Sequence, residues 1–307
     1  NLLDAAIAAQ ETLQSSDEDF PFTKETMPAK GTPLTDKTFD FYLETFPTPS
    51  KEAMEACQRR LDNLAKPIDS LRYLEQIAAE LAGILDDERP ALDLPRTLLA
   101  FATEELSAEK RRLTAAFAQH AGAEVTIARL RRDRPLTEAF DFGRALAEDI
   151  AFSVPLVAVA LTDGTSAAPG EKANALREAL LTADGTLRFA PTDFLAHVPA
   201  TLQAEVAALL GAIIAGAHNH SLIVLDDAAT EIVARYAEAL SPALSPYLLH
   251  TQPKLLRLDI TAAGGAIACL GFKIIDAALH ILNDMKTFAE TRVSVADDGP
   301  GAGRQAE

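Results

Sequence analysis

The residues of this sequence best placed to do chemistry are carboxylates set beside apolar runs. Asp226 and Asp227 close the run from Leu222 to Leu225, and in open α/β sheets ligands bind beyond the carboxyl ends of the strands. Asp227 also stands where the following helix needs an N-cap, so the site reading falls on Asp226. Glu148 and Glu205 sit in helical, mostly apolar surroundings. Each reads either as a partly buried acid with a raised pKa or as a residue on a solvated face, and the pattern by itself favours the solvated face. His218-Asn-His220 offers two imidazoles, whereas zinc takes three or four ligands; a histidine closing a helix before a strand is accounted for by the helix dipole. Arg129, Arg131, Arg132 and Arg134 follow a strand and have the chemistry to hold a phosphate, but in an acidic protein they read as a solvated edge. No G-x-S-x-G elbow supports a hydrolase triad. The 15 glycines of 307 residues are about 5%, against an average near 7%, and no Walker or G-x-G-x-x-G run occurs.

The elements that must position these groups follow from periodicity. Thr97-Leu-Leu-Ala-Phe101, Glu124-Val-Thr-Ile-Ala-Arg-Leu130, Ser221-Leu-Ile-Val-Leu-Asp226 and Leu255-Leu-Arg-Leu-Asp-Ile260 read as strands. Helical patterns fall at 107–121, 170–183, 200–217 and 228–240, between or beside these strands. Strands alternating with helices predict an α/β fold, a mostly parallel sheet with helices on both faces. Ser50 caps a helix to about Leu64, Asp69 or Ser70 caps the next, and a last long helix runs from near Ala266 past Met285. A small helical domain from 1–90 and 266–307 is expected to flank an α/β domain over 91–265.

Composition narrows the function classes. Hydrophobic residues at 48% and charged residues at 24% describe a globular chain. The formal charge of −17 and a pI near 4.8 argue against nucleic acid or an anionic membrane as the main partner. Cys57 and Cys269 make no disulfide framework and suit a reducing compartment. The longest apolar run, 207–217, is short of the roughly 18–20 residues that span a bilayer, and Asp4 and Glu11 do not suit a signal peptide. A cytoplasmic protein is expected, with no metal and no cofactor.

Two stretches carry more than composition. Leu64-Ala-Lys-Pro-Ile-Asp-Ser-Leu-Arg-Tyr-Leu-Glu75, followed by Leu81-Ala-Gly-Ile84, resembles the opening L-T-K-P-P-G-S-L-G-R-L-E…L-A-G-I of nicotinate-nucleotide:dimethylbenzimidazole phosphoribosyltransferases. Ala278-Leu-His-Ile-Leu-Asn-Asp-Met-Lys-Thr-Phe-Ala289 is similar to that family's closing helix, and Glu205-Val-Ala-Ala-Leu-Leu-Gly-Ala212 to its E-I-A-A-L-A-G-A. The matches run in order from about Lys51 to Ser294. The resemblance implies transfer of phosphoribose from nicotinate mononucleotide to a base that becomes the lower ligand of a cobamide. Glu148, Gly164, Thr165, Lys172, Glu205 and Asp226 are the substrate-binding candidates it carries over.

The same resemblance locates the departures. The family's general base, a glutamate in L-G-E-G-x-G-A, falls on Gly264 or on Ala262, so no catalytic residue is retained there. The phosphate loop G-I-G-N-T-T aligns near Ile150-Ala-Phe-Ser-Val-Pro155, where Phe152 and Pro155 are expected to crowd the phosphate corner. The strand end D-H-G reads Glu104-Glu105-Leu106, the opening glycines are Asp69 and Arg72, and the S-H-x-S-x-E-P-G-H segment shortens to about His250-Thr-Gln-Pro-Lys254. Such combined losses imply a degenerate subunit working with a homologous, active chain in a heterodimer. The alternatives are a self-sufficient enzyme, alone or as a homodimer, in which Glu148, Glu205 or Asp226 replaces the base, and a binding protein that holds a nucleotide or base without turnover.

Overall fold

The computed structural model describes residues 39–67, 70–162, 170–251 and 264–291. Their centre is a five-stranded parallel sheet in the order β2-β1-β3-β4-β5, formed by β1 (Arg96–Ala102), β2 (Glu124–Arg129), β3 (Leu156–Leu161), β4 (Leu222–Leu225) and β5 (Leu248–Leu249). The register sets Phe101 of β1 beside Ala128 of β2 and Leu161 of β3, and Val159 of β3 beside Leu225 of β4. Every residue of β1, β3 and β4 is buried, as strands covered on both faces must be.

The segment before the sheet forms α1 (Phe39–Glu44), α2 (Lys51–Asp62) and α3 (Tyr73–Leu85). Between strands lie α4 (Ala108–Ala121), α5 (Leu136–Ala151), α6 (Glu171–Leu180), α7 (Phe194–His197), α8 (Gln203–His218) and α9 (Ala228–Leu240), and after the sheet α10 (Ala266–Asp284) and α11 (Phe288–Thr291). Helices α5, α8 and α9 cover one face; α10, with α4 beside it, covers the other. The expected α/β fold with a parallel sheet is therefore the one observed. Local chemistry starts the helices: Ser50 accepts from Ala53 N at 3.3 Å, Ser107 from Lys110 N at 3.2 Å, and Asp227 with Thr230 closes a capping box on α9.

Strand β3 and helix α5 are absent from the sequence-based assignment, as are the short α1, α7 and β5. Strand β3 is a continuous apolar run, and a strand buried on both faces shows no alternation to betray it. Helix α5 carries Phe140, Phe142, Gly143 and Arg144 together as buried residues, which blurs its period. It packs so closely on α8 that a Cβ on Gly143 would overlap the Ala208 carbonyl, and one on Gly211 the Phe140 carbonyl. The expected strand at 255–260 lies outside the described residues. Helix α10 is long and apolar enough to cross a membrane by length and composition, but Ile267, Phe272, Ile275, Leu279 and Leu282 are buried in the protein core.

The opening and closing segments meet. Ala65 N donates to Lys286 O at 2.9 Å and Phe288 N to Asn63 O at 3.0 Å. Arg60 Nε reaches Leu282 O at 2.9 Å, and Asn283 donates to Pro90 O at 3.0 Å while accepting from Arg89 Nε at 2.8 Å.

Candidate functional site

Parallel strands deliver their carboxyl ends to one edge, and that edge collects Thr103, Thr162 and Asp226 immediately after β1, β3 and β4, and Thr251 two residues after β5. Helices α6 and α8 begin there, and they add Lys172 and Glu205 from their first turns. Glu205 is 0% exposed, not on a solvated face. Its Oε1 accepts from Thr103 N at 2.5 Å and Thr103 Oγ1 at 2.7 Å. Its Oε2 takes Lys172 Nζ at 2.5 Å, and the same ammonium donates to Thr162 O at 2.5 Å. A buried carboxylate with an ammonium and two further donors is well satisfied as an anion.

Asp226 is buried at the end of β4. Its Oδ2 accepts from Gly265 N at 2.7 Å and its Oδ1 from Ala268 N at 3.0 Å, so it caps α10 from outside that helix's own sequence. Burial, and next the Asp227 carboxylate, push its pKa up to about 7, against backbone donors that favour the anion. Both oxygens are thus engaged by the helix they hold.

The structure brings Glu205, Lys172 and Asp226 to this edge but not Glu148. Glu148 lies in the last turn of α5, which leads into the start of β3, so it is at the amino edge, about 20 Å away along a six-residue strand. There it bonds the Tyr42 hydroxyl and takes Arg144 Nη1 at 2.6 Å. The segment 150–155 lies at the same amino edge, with Phe152 92% exposed. It therefore crowds nothing at the carboxyl edge. A ligand loop in a parallel sheet follows its strand rather than preceding it. Gly164 and Thr165 lie outside the described residues, as does Ala262. Gly264 stands at the start of α10, against Thr162.

Beside the carboxyl edge a cavity of about 800 Å³ lies between α3, α9 and β5. Tyr73, Glu231, Arg235, Glu238 and His250 are among its walls. His250 Nδ1 is 2.6 Å from Glu231 Oε2 and its Nε2 3.5 Å from Glu238 Oε1. The Glu231 hydrogen bond and then the Glu238 one hold the imidazolium, raising its pKa to about 9. Among the described residues no three His, Cys, Asp or Glu side chains come together as a metal site. His218 instead packs its ring against Tyr42 and Phe46. Arg131 pairs with Asp133, Arg132 with Glu104, and Arg134 lies over Phe142. Thr103 and Thr162 are the site residues the sequence reading missed; the position directly after a parallel strand was the available signal, and for Thr162 it required recognising β3.

Comparison with known proteins fits this architecture. The family model described as phosphoribosyltransferase matches residues 46–141. The nicotinate-nucleotide–dimethylbenzimidazole phosphoribosyltransferase of Cereibacter sphaeroides is 27% identical, over 83% of this chain and 96% of that protein. The enzyme of the same name from Acetivibrio thermocellus is 32% identical over 25% of this chain and 27% of that protein. The crystal structure of CobT from Thermus thermophilus superposes with a TM-score of 0.61 at 22% identity, covering 80% of this chain and 100% of that one.

Proposed function

From its similarity to nicotinate-nucleotide–dimethylbenzimidazole phosphoribosyltransferases, we propose that the chain is a member of that family and the degenerate subunit of a phosphoribosyltransferase, paired with an active homologous chain. The pair moves phosphoribose from nicotinate mononucleotide to a benzimidazole or phenolic base destined to be a cobamide lower ligand. The observation that carries this reading is the state of the three acids available to replace a lost base. Glu205 is closed by Thr103 and Lys172, Asp226 by the first turn of α10, and Glu148 is at the wrong edge of the sheet. A general base must reach the proton it removes, and none of the three presents a free oxygen to a ligand in the crevice.

In the proposed pair the partner supplies the base that lifts the proton from the attacking nitrogen or hydroxyl. This chain supplies a preformed carboxyl edge with Lys172 as its cation. The test measures α-riboside phosphate formation by this chain, by an intact homologue from the same genome, and by the mixture. We expect the mixture to turn over and this chain alone to be slower by about 10²–10⁴-fold, the usual cost of losing a positioned base. Efficient transfer by this chain alone would overturn the proposal in favour of a self-sufficient enzyme. Saturable binding of nicotinate mononucleotide with no turnover in any mixture would leave a binding protein instead.

A further inference from the structure

Gly264 is one of the two positions, with Ala262, where the resemblance puts the family's acid; this chain has no side chain at 264, and the surrounding packing explains why. Unlike Gly265, which has φ of 89°, Gly264 is not at positive φ, so its backbone does not demand glycine. Packing does. A Cβ built on Gly264 would lie 2.6 Å from the Cβ of Thr162, 2.9 Å from its Oγ1 and 2.9 Å from its Cα, closer than real Cβ atoms approach. We infer that Thr162 fills the volume an acid at position 264 would need, so that this chain accepts a side chain there only together with a smaller residue at 162. The inference rests on the family reading for its meaning, but its geometry stands without it.

Neither side of this close approach can yield cheaply. Thr162 N donates to Phe101 O at 3.0 Å, and Thr162 O accepts from Lys172 Nζ, itself tied to Glu205. Opposite it, Gly264 O accepts from Thr114 Oγ1 at 3.2 Å, and the next amide is held by Asp226 at 2.7 Å. A packed interior transmits such a clash rather than absorbing it. Nor can an acid move one residue along, since Gly265 combines positive φ with a Cβ position that overlaps the Leu98 side chain. Removing the Thr162 side chain deletes two of the three close atoms and leaves only the backbone carbon, from which a small shift relieves the overlap. Thr162 is thus the residue that keeps position 264, two residues before α10, free of a side chain.

A double-mutant cycle on thermal stability tests this. Gly264→Ala adds only the clashing atom, and we expect it to lower Tm by at least about 5 °C. Combined with Thr162→Gly, the loss should be smaller than the sum of the two single losses by about 4 °C or more. If Gly264→Ala alone fails to fold, return of native circular dichroism in the double variant supports the assignment, and no return overturns it. Gly264→Glu should follow the same pattern, poorly folded alone and recovered with Thr162→Gly. Additive losses, or a Gly264→Ala as stable as the parent, would overturn the inference. The cycle reads only stability, so its failure is separate from that of the subunit proposal, which the transfer assay decides.

Discussion

Both oxygens of Asp226 are spent on the amides of Gly265 and Ala268, which makes its side chain a remote cap for α10, the longest helix among the described residues. Asp226→Ala leaves those buried donors unpaired, and the expected loss is about 2–3 kcal/mol. Asp226→Asn, which keeps one acceptor, should lose less; urea denaturation of the three proteins checks the order. His250 makes the opposite kind of statement about pH. Its folded-state pKa of about 9 lies above the unfolded value of about 6.5. The charged imidazole therefore stabilises fully below pH 6.5, and that contribution fades as pH rises through 9. We expect the parent to lose about 1–3 kcal/mol more than His250→Gln between pH 6 and pH 9.5. Equal losses in the two proteins would show that the Glu231 contact does not hold the proton.

At the scale of elements, the residue that starts α3 holds a strained backbone. Arg72 occupies φ 35°, ψ −95° where the motif it resembles has glycine, and a non-glycine residue in such a region is strained by about 1–2 kcal/mol. Arg72→Gly should therefore raise stability by about 1 kcal/mol in chemical denaturation, the strain relief exceeding the entropy glycine gives to the unfolded chain. The neighbouring Lys66–Glu75 pair, at 2.8 Å and nearly inaccessible on both sides, joins the two ends of the opening motif. Glu75→Ala leaves a buried ammonium unmatched and should cost about 3–5 kcal/mol, read as a fall in the urea midpoint. The α5–α8 crossing is a third such case: its glycines are points of closest approach, where carbonyls of the facing helix occupy the place of a Cβ.

At the scale of the whole molecule, α10 fastens the fold. It lies on β3 and β4, against α3 and α4, with Asp226 at its beginning and Arg60, Arg89 and Pro90 at its end. A chain ending before residue 264 would uncover the apolar face of the sheet and lose the helix-end bonds together. We expect such a truncation to give no cooperative unfolding transition, whereas removal of the segment after residue 291 should preserve one. A comparison of their thermal melts distinguishes the two.

Sequence alone determined what repeats along the chain. The strands at 97–101, 124–130 and 221–226 and the helices around them were legible because apolar runs, caps and periods are local. The opening and closing motifs were legible because their residues are contiguous. Tertiary structure decided which ends of these elements share an edge. Glu148 and Glu205 looked alike in sequence, each an acid in an apolar helix, yet one lies in the last turn of its helix and the other in the first turn of its own. In a parallel sheet that difference sends them to opposite edges. The bonds that close Glu205 and Asp226 are also non-local: Thr103 is 102 residues from Glu205, and Gly265 is 39 from Asp226. Whether an acid is a base or a clasp depends on such partners, and they are brought to it only when the sheet is assembled.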